Sequence, residues 1–419
     1  MRHRDDSLRH PSEDGRSPED GRRHRQVHLR LREDQEEVTM RDAVVIGGGP
    51  AGSKAAELLA RDRDVLVLEE HRESGLPVEC AGLVTDDVLA LSGVRPDILN
   101  RLYGANVFFL GGGTISVRSS WPKANVIDRA DLDRRMAWRA TDAGAEYRYN
   151  DRYIGHTATG NVKVRSTGGE TGCSLLIGAD GHSSSTAMSL GAGNGPREYV
   201  RGFQMDLRKK YDEQDMINIR LGSEVAPGFF SWEIPFGDNV RVGLCTSWPA
   251  GPPAVYMKAL LKKAGLEDAE VIRKYSGKIP LGGRPKTYGE RIMLIGDAAG
   301  QVKPVSGGGL FPALKSADAL KETAESSFIS GDFSEKALSA YEKKWKAAAG
   351  REMRNGYRLR NAYLKLRDID LDRAFSIASR ESVRSVLDEI NLDRPSSVVS
   401  CMRKRDLASL MPILMRALL

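Results

Sequence analysis

The stretch Ala43-Val-Val-Ile-Gly47-Gly-Gly49-Pro-Ala51-Gly52, followed by Val65-Leu-Val-Leu-Glu69, decides the fold. Residues 43–46 are a short apolar run, 47–52 a glycine turn, and 53–60 an Ala/Leu-rich helix. Residues 65–68 are a second buried strand that ends at Glu69. In the spacing Gly47-x-Gly49-x-x-Gly52 the first glycine permits a tight turn and the second lets a pyrophosphate approach the backbone. The third lets helix and strand pack closely. The helix N-terminus offers unpaired N–H groups to the anion. A carboxylate at position 69 accepts hydrogen bonds from ribose hydroxyls and repels a 2′-phosphate. The order strand, turn, helix, strand, acid predicts a dinucleotide site, with Gly47, Gly49, Ala51, Gly52 and Glu69 at the cofactor. It does not choose between a nicotinamide and a flavin dinucleotide.

Outward from this unit the pattern changes. Between about 200 and 247, apolar runs at 217–221, 230–235 and 240–246 are separated by Gly, Asp and Asn. They read as antiparallel strands, with Asp238-Asn239 as a hairpin turn. Residues 292–295 return to a continuous buried strand, followed by a glycine-rich loop and a helix over 310–326. Beyond about Ser334 the chain is helical and basic, and it ends in the apolar run 407–419.

Residues 1–39 carry nine Arg, ten Asp/Glu and four His but no Lys, and they repeat Ser12-Glu-Asp-Gly-Arg16 nearly as Ser17-Pro-Glu-Asp-Gly-Arg22. Such a segment buries too little apolar surface to offset the entropy of ordering, so it reads as a disordered extension that need not belong to the native protein. The expected organisation is therefore α/β (α+β overall). A dinucleotide-binding domain of Rossmann type takes residues 40–195 and 285–330, an antiparallel β domain takes 196–284, and a helical region takes 331–419.

The four cysteines, Cys80, Cys173, Cys245 and Cys401, are scattered with no C-x-x-C. This argues against a disulfide scaffold, a metal site or an iron–sulfur cluster, and suits a reducing cytoplasm. A formal charge of +6 favours acidic partners, but no recognised module for nucleic acid accompanies the basic residues, so none is expected as a partner. No apolar run reaches the length of a membrane span.

Arg291-Ile-Met-Leu-Ile-Gly-Asp297-Ala-Ala-Gly300 is an apolar strand ending in Gly-Asp, and Leu176-Ile-Gly-Ala-Asp180-Gly-His-Ser-Ser184 carries an Asp-Gly pair. Taken with the glycine turn, in this order, they resemble the motifs of the p-hydroxybenzoate hydroxylase-like FAD flavoproteins. Val126-Ile-Asp-Arg129-Ala-Asp-Leu-Asp133 resembles the stretch whose arginine reaches FAD in those enzymes. Gly300-Gln-Val-Lys303-Pro-Val-Ser-Gly-Gly308-Gly309-Leu310 resembles the loop that sets backbone N–H groups against the flavin ring, and in this wording it is most similar to archaeal geranylgeranyl reductases. Phe230-Ser-Trp232-Glu-Ile234-Pro235 resembles that family's Tyr-x-Trp-x-Phe-Pro, departing at Phe230 and Ile234. Pro77-Val-Glu-Cys80-Ala81-Gly82-Leu83 falls where the family carries a cysteine beside the flavin.

The resemblance implies an FAD-dependent reductase that saturates C=C bonds in the geranylgeranyl chains of archaeal membrane lipids, with hydride from N5 of the reduced flavin. It adds Ala81, Gly82, Arg129, Asp180, Asp297, Gly308, Gly309 and Leu310 to the cofactor site. It also places Phe230, Trp232, Ile234 and Pro235 at the substrate and makes Cys80 catalytic, with no metal. Lys303 is either a flavin-stabilising cation or a solvated loop lysine.

The chain has one dinucleotide fingerprint, so electrons are expected from a transient donor such as a ferredoxin or a reduced deazaflavin. Two other readings share these motifs: a monooxygenase of the same fold, and a membrane-docking flavin electron carrier. The isoprenoid lipid substrate implies peripheral contact with the inner face of the cell membrane. Arg403-Lys-Arg405 and Arg416 beside the terminal leucines offer a means, as two short amphipathic pieces separated by Pro412.

Overall fold

The opening run is the strand Met40–Ile46, which pairs in parallel on both sides, with Gly169–Gly178 and with Val65–Glu69, and its core residues are buried on both faces because helices cover one face and a β-hairpin the other. A computed structural model of the chain describes residues 39–191 and 193–418, with side chains through Ile413. The expectation for residues 1–39 therefore falls, apart from Thr39, outside the described residues.

Among the described residues the first sheet has eight strands. Its main path runs Tyr288–Gly289, Ile292–Leu294, Gly169–Gly178, Met40–Ile46, Val65–Glu69, Glu146–Tyr149, and a hairpin of Tyr153–Thr159 and Asn161–Ser166 extends from Gly169–Gly178. Alternation across the strands divides the core. Val45, Val67, Leu175 and Ile177 pack with Ala55, Ala56 and Leu59 of the helix Pro50–Leu59 and with Ala317, Leu320 and Ala324 of the helix Leu310–Ser330. Val44, Leu66, Leu68 and Leu176 pack on the opposite face with Val162 and Val164.

The second sheet has seven strands, in the order Glu270–Leu281, Glu198–Arg208, Asn239–Ser247, Ser231–Phe236, Met216–Arg220, Gly104–Phe108, Thr114–Arg118. Its pairing is antiparallel except at one junction, where Met216–Arg220 runs parallel to Gly104–Phe108. Two expectations change here. Residues 104–118, read from sequence as part of the first unit, complete the second sheet, because their partner strand lies more than a hundred residues downstream. The hairpin turn is Gly237-Asp238 rather than Asp238-Asn239, since Asn239 already pairs with Phe236 and Gly237 takes the positive φ of +58°.

A small sheet of Leu83–Val84, Ala124–Ile127 and Ile98–Leu102 completes the β structure among the described residues. The chain from Glu335 onward is helical. Its end departs from expectation, because Lys404–Leu418 is one helix with Pro412 inside it. Proline removes one backbone bond there, and packing of Leu410 and Ile413 against Ile377 and Val383 holds both sides of the break. No helix among the described residues is long and apolar enough to cross a membrane.

Candidate active site

A cavity of about 1280 Å³ runs between the two sheets, larger than the ~300–1,000 Å³ usual for one small ligand. One end is the glycine turn. Gly47 has φ +100°, and a Cβ there would lie 2.5 Å from the Ala179 carbonyl oxygen; a Cβ on Gly52 would lie 1.9 Å from the Gly47 oxygen. These two glycines are required by the protein's own packing. At Gly49, among the described residues, nothing lies within 4 Å of the Cβ position. The backbone is thus bare where a pyrophosphate would approach, at the N-terminus of the helix Pro50–Leu59. Gly49 and Ala51 line the cavity, whereas Gly52 is buried behind them.

Glu69 ends its strand at the same opening. Its Oε2 accepts from Gly48 N at 2.7 Å, and its Oε1 accepts from His71 N at 2.9 Å. Oε1 also meets His71 Nδ1 at 2.7 Å, so Oε2 is the oxygen that keeps a further lone pair for a ribose hydroxyl. Asp180 also lines the cavity, but its carboxylate is engaged by the Ser184 hydroxyl at 2.6 Å and Thr186 N at 3.0 Å, which makes it the organiser of its own loop.

In the middle of the cavity stand Cys80, Ala81, Arg129, Asp297, Gly308, Gly309 and Leu310. The Asp297 carboxylate has no hydrogen-bond partner among the described residues, and one of its oxygens lies 2.8 Å from the Cβ position of Gly309. Burial pushes its carboxyl above the ordinary carboxylate value, partly offset by the nearby His182 and Arg129 charges. A carboxylate held in this way is an acceptor suited to the hydroxyls of a ribityl chain. Arg129 forms a bidentate pair with Asp133, at 2.9 and 3.1 Å. Burial works against its charge, but Asp133 and Cys80 beside it outweigh that and raise its pKa.

Gly82 does not line the cavity. It takes φ +69° with its Cβ position 2.7 Å from the Ile127 oxygen, so its part is to turn the chain behind Cys80, and its N–H donates to Cys80 Sγ at 3.4 Å. Bare glycine backbone at the pyrophosphate position, carboxylates at both ribose and ribityl positions, and the glycine loop 307–309 together form a donor set that fits FAD.

The far end is apolar. Trp232 and Ile234 share one face of the strand Ser231–Phe236, and with Phe230 just before it they line the cavity beside Phe229, Ile217 and Ile219. Phe229 stacks on Phe230 at 4.6 Å, and Phe230 meets Trp232 edge-on at 6.0 Å. Pro235, expected at the substrate, is buried on the opposite face, where its carbonyl accepts from Asn100 Nδ2 at 2.7 Å; period-two alternation puts it there.

Several residues at the cavity carry no motif. Gln204 Nε2 donates to the Cys80 carbonyl at 2.9 Å. Buried Arg241 pairs with Asp206 at 2.7 and 3.1 Å, and its Nη1 donates to the Ala81 carbonyl at 2.7 Å. The second sheet thereby grips the loop that carries Cys80. Leu387, Ile390, Leu392 and Asp393 of the helical region close another side. Lys303 is neither solvated nor a free cation: it is 8% exposed and paired with Asp393 at 2.8 Å. The one hint in sequence was the alternation in strands Glu198–Arg208 and Asn239–Ser247, where buried Gln, Asp and Arg interrupt apolar positions.

A family model described as lycopene cyclase protein matches residues 42–381. Digeranylgeranylglycerophospholipid reductase of Methanocaldococcus jannaschii is 30% identical over 370 residues, covering 84% of this chain and 93% of its own length. Digeranylgeranylglycerophospholipid reductase 2 of Methanothermobacter thermautotrophicus is 30% identical over 348 residues, 79% of this chain and 90% of its own. Among solved structures, a geranylgeranyl bacteriochlorophyll reductase-like protein of Thermoplasma acidophilum matches with a TM-score of 0.78 at 21% identity, over 90% of this chain and 100% of that one. A mutant of halogenase PltM in complex with FAD shares the fold at a TM-score of 0.64 and 15% identity, over 88% of this chain and 85% of its own. With a family model over most of its length and reductases 30% identical across nearly their whole chains, this protein belongs to the geranylgeranyl reductase family of FAD-dependent oxidoreductases.

Proposed function

We propose that the protein binds FAD along the cavity from Gly49 to Gly309 and saturates C=C bonds in the isoprenoid chains of membrane lipids. The observation that carries this reading is the continuity of one cavity: the glycine turn, Cys80 and the aromatic wall of Phe230 and Trp232 all line it. Gly49 leaves the backbone open to the pyrophosphate, Glu69 and Asp297 accept from the sugar hydroxyls, and Arg129 holds positive charge beside the ring. Reduced FAD, when bound, supplies a hydride. An unactivated alkene has no carbonyl to polarise, so the protein's part is to orient the chain, exclude water and provide a proton.

Cys80 is the proposed proton donor, with Gln204, Arg241 and the turn at Gly82 as positioning residues that fix its loop. The apolar wall holds the chain and keeps the reacting carbon dry. Electrons come from a transient donor such as a ferredoxin or a reduced deazaflavin. The lipid is taken from the inner face of the membrane, where exposed Arg403, Lys404 and Arg405 favour anionic headgroups.

The test is mass spectrometry of lipids from cells that carry a geranylgeranyl lipid pathway and express the protein. Products heavier by two hydrogens per reduced double bond are expected. Unchanged lipids, with NADPH-dependent oxygen consumption on a small aromatic, would overturn the reading in favour of a monooxygenase.

A further inference from the structure

Gln204, Gly243 and Trp232 stand in one row across the second sheet, because Gln204 pairs with Gly243 and Gly243 pairs with Trp232. Side chains directly opposite one another project from the same face of an antiparallel sheet. Gly243 has no side chain, and a Cβ there would lie 2.4 Å from Trp232 Cε2 and Cζ2. The indole therefore lies over the middle strand, leaning toward Gln204. Both side chains line the cavity.

Each of them carries a buried polar atom with no partner: Gln204 Oε1 and Trp232 Nε1. Gln204 is 4% exposed. Its bond to the Cys80 carbonyl requires the donor end of the amide, which fixes the other end as an acceptor aimed away from that loop. An indole N–H only donates. Buried polar groups are ordinarily paired, so two unpaired atoms of opposite kind in one row need a ligand that serves both.

An alkyl or alkenyl chain can satisfy neither atom, and an ether oxygen can satisfy only the indole. A hydroxyl accepts from Nε1–H and donates to Oε1 at once. We infer that Trp232 and Gln204 form a polar subsite, set into the apolar wall, for an aliphatic hydroxyl on the isoprenoid substrate. The inference rests on the prenyl-reductase reading and narrows its substrate. Because Gln204 is tied to the Cys80 loop, a hydroxyl held here sets how many carbons along the chain the reacting double bond lies. Such a hydroxyl is either the terminal group of a prenyl alcohol or the free glycerol hydroxyl of an isoprenoid glycerol ether.

The experiment measures equilibrium binding to the holoenzyme in detergent, by perturbation of flavin absorbance. The probes are geranylgeraniol, its methyl ether, digeranylgeranylglycerol, and a hydrocarbon with the same chain. At least one alcohol is expected to bind about tenfold tighter than the methyl ether and the hydrocarbon, the size of one hydrogen-bonded polar group left unpaired. Which alcohol shows the preference identifies the source. Trp232→Phe replaces the indole by a smaller phenyl ring and removes the donor; within that variant the alcohol's preference over the hydrocarbon is expected to fall, and the methyl ether is expected to bind no better than the hydrocarbon. If Trp232→Phe does not fold, the alcohol-to-ether ratio in the native protein decides alone. Equal binding of alcohol, ether and hydrocarbon overturns the subsite and leaves the reductase reading standing. Failure to bind any of the four overturns both. A change of flavin affinity or spectrum in Trp232→Phe without any lipid assigns the pair to the flavin edge and overturns the inference.

Discussion

The two ends of the cavity are built in opposite ways. The dinucleotide end is made by one local unit, Met40–Ile46, the glycine turn, Pro50–Leu59 and Val65–Glu69, in which the proposed ligand contacts lie within thirty residues of one another. The substrate end draws on strands from 104 to 281 and on the helical segment around Leu387–Asp393. At the first end a residue's task is written in its spacing. At the second it depends on which strand lies beside it. Substitutions at the two ends should therefore fail differently: the local unit separates folding from binding glycine by glycine, whereas the distant one couples them.

The largest effect is expected within the local unit. Gly52→Val forces a Cβ to within 1.9 Å of the Gly47 carbonyl oxygen. Loss of soluble folded protein is expected, since backbone against backbone has no room to relax, a destabilisation above about 4 kcal/mol. A melting temperature close to that of the native protein would break the comparison at its strongest point. Arg241→Met tests the distant unit. It leaves Asp206 buried without its cation, and breaking such a pair costs about 3–5 kcal/mol. Chemical denaturation should register that loss although no motif marks the residue.

Gly49→Val is the counterpart to Gly52→Val. Its φ of −72° suits any residue and its Cβ position is clear, so the melting temperature of the apoprotein should hold. Flavin retained on purification should fall at least about tenfold, as the side chain fills the pyrophosphate approach. A fully yellow Gly49→Val protein would move the cofactor elsewhere.

Asp297→Asn sharpens the point further. Burial raises the folded-state pKa of this carboxyl above its unfolded value, so the folded apoprotein binds more protons than the unfolded chain. Its contribution to stability is then lost as pH rises from the ordinary carboxylate range. The Asn variant should melt at a higher temperature than the native apoprotein at pH 7 and at the same temperature near pH 3, while holding flavin more weakly. Thermal melts across that range, with flavin titration, read both.

The smallest expected structural effect is at Cys80. Cys80→Ser should keep flavin and fold, and slow lipid reduction without changing the product. An unchanged single-turnover rate would make Cys80 a packing residue.

The C-terminal helix shows how tertiary context overrides a local rule. Pro412 inside a helix, and basic residues beside leucines, read locally as two surface pieces. Ile413 and Leu410 instead pack against Ile377 and Val383, and Asp406 is fully buried between Arg380 and Ser382. Removal of residues 404–419 should therefore lower the melting temperature, with any loss of binding to anionic vesicles following from the removed charges.

Legibility of the site divides along the same line. The proposed cofactor residues Gly47, Gly49, Glu69 and Asp297 could be named because short motifs state both a backbone shape and a chemistry. Gln204, Arg241 and Asp393 could not, because a lone polar residue in a strand or loop has no spacing to set it apart until its neighbours are known. Pro235 and Gly82 were drawn into the site by belonging to a motif, and the pleat and the turn place their contacts behind the cavity wall instead. By itself, the sequence determined the strand–turn–helix unit, the order of the later strands and the chemistry of the glycine turn, since each depends on residues near one another in the chain. Only the tertiary structure decided that 104–118 completes the second sheet, that Lys303 is paired with Asp393, and that Gln204 and Trp232 stand in one row on either side of Gly243. The first and last depend on register between strands far apart in sequence, where a shift of one residue turns every side chain to the other face, and the second on the helical region folding back over the loop that carries Lys303.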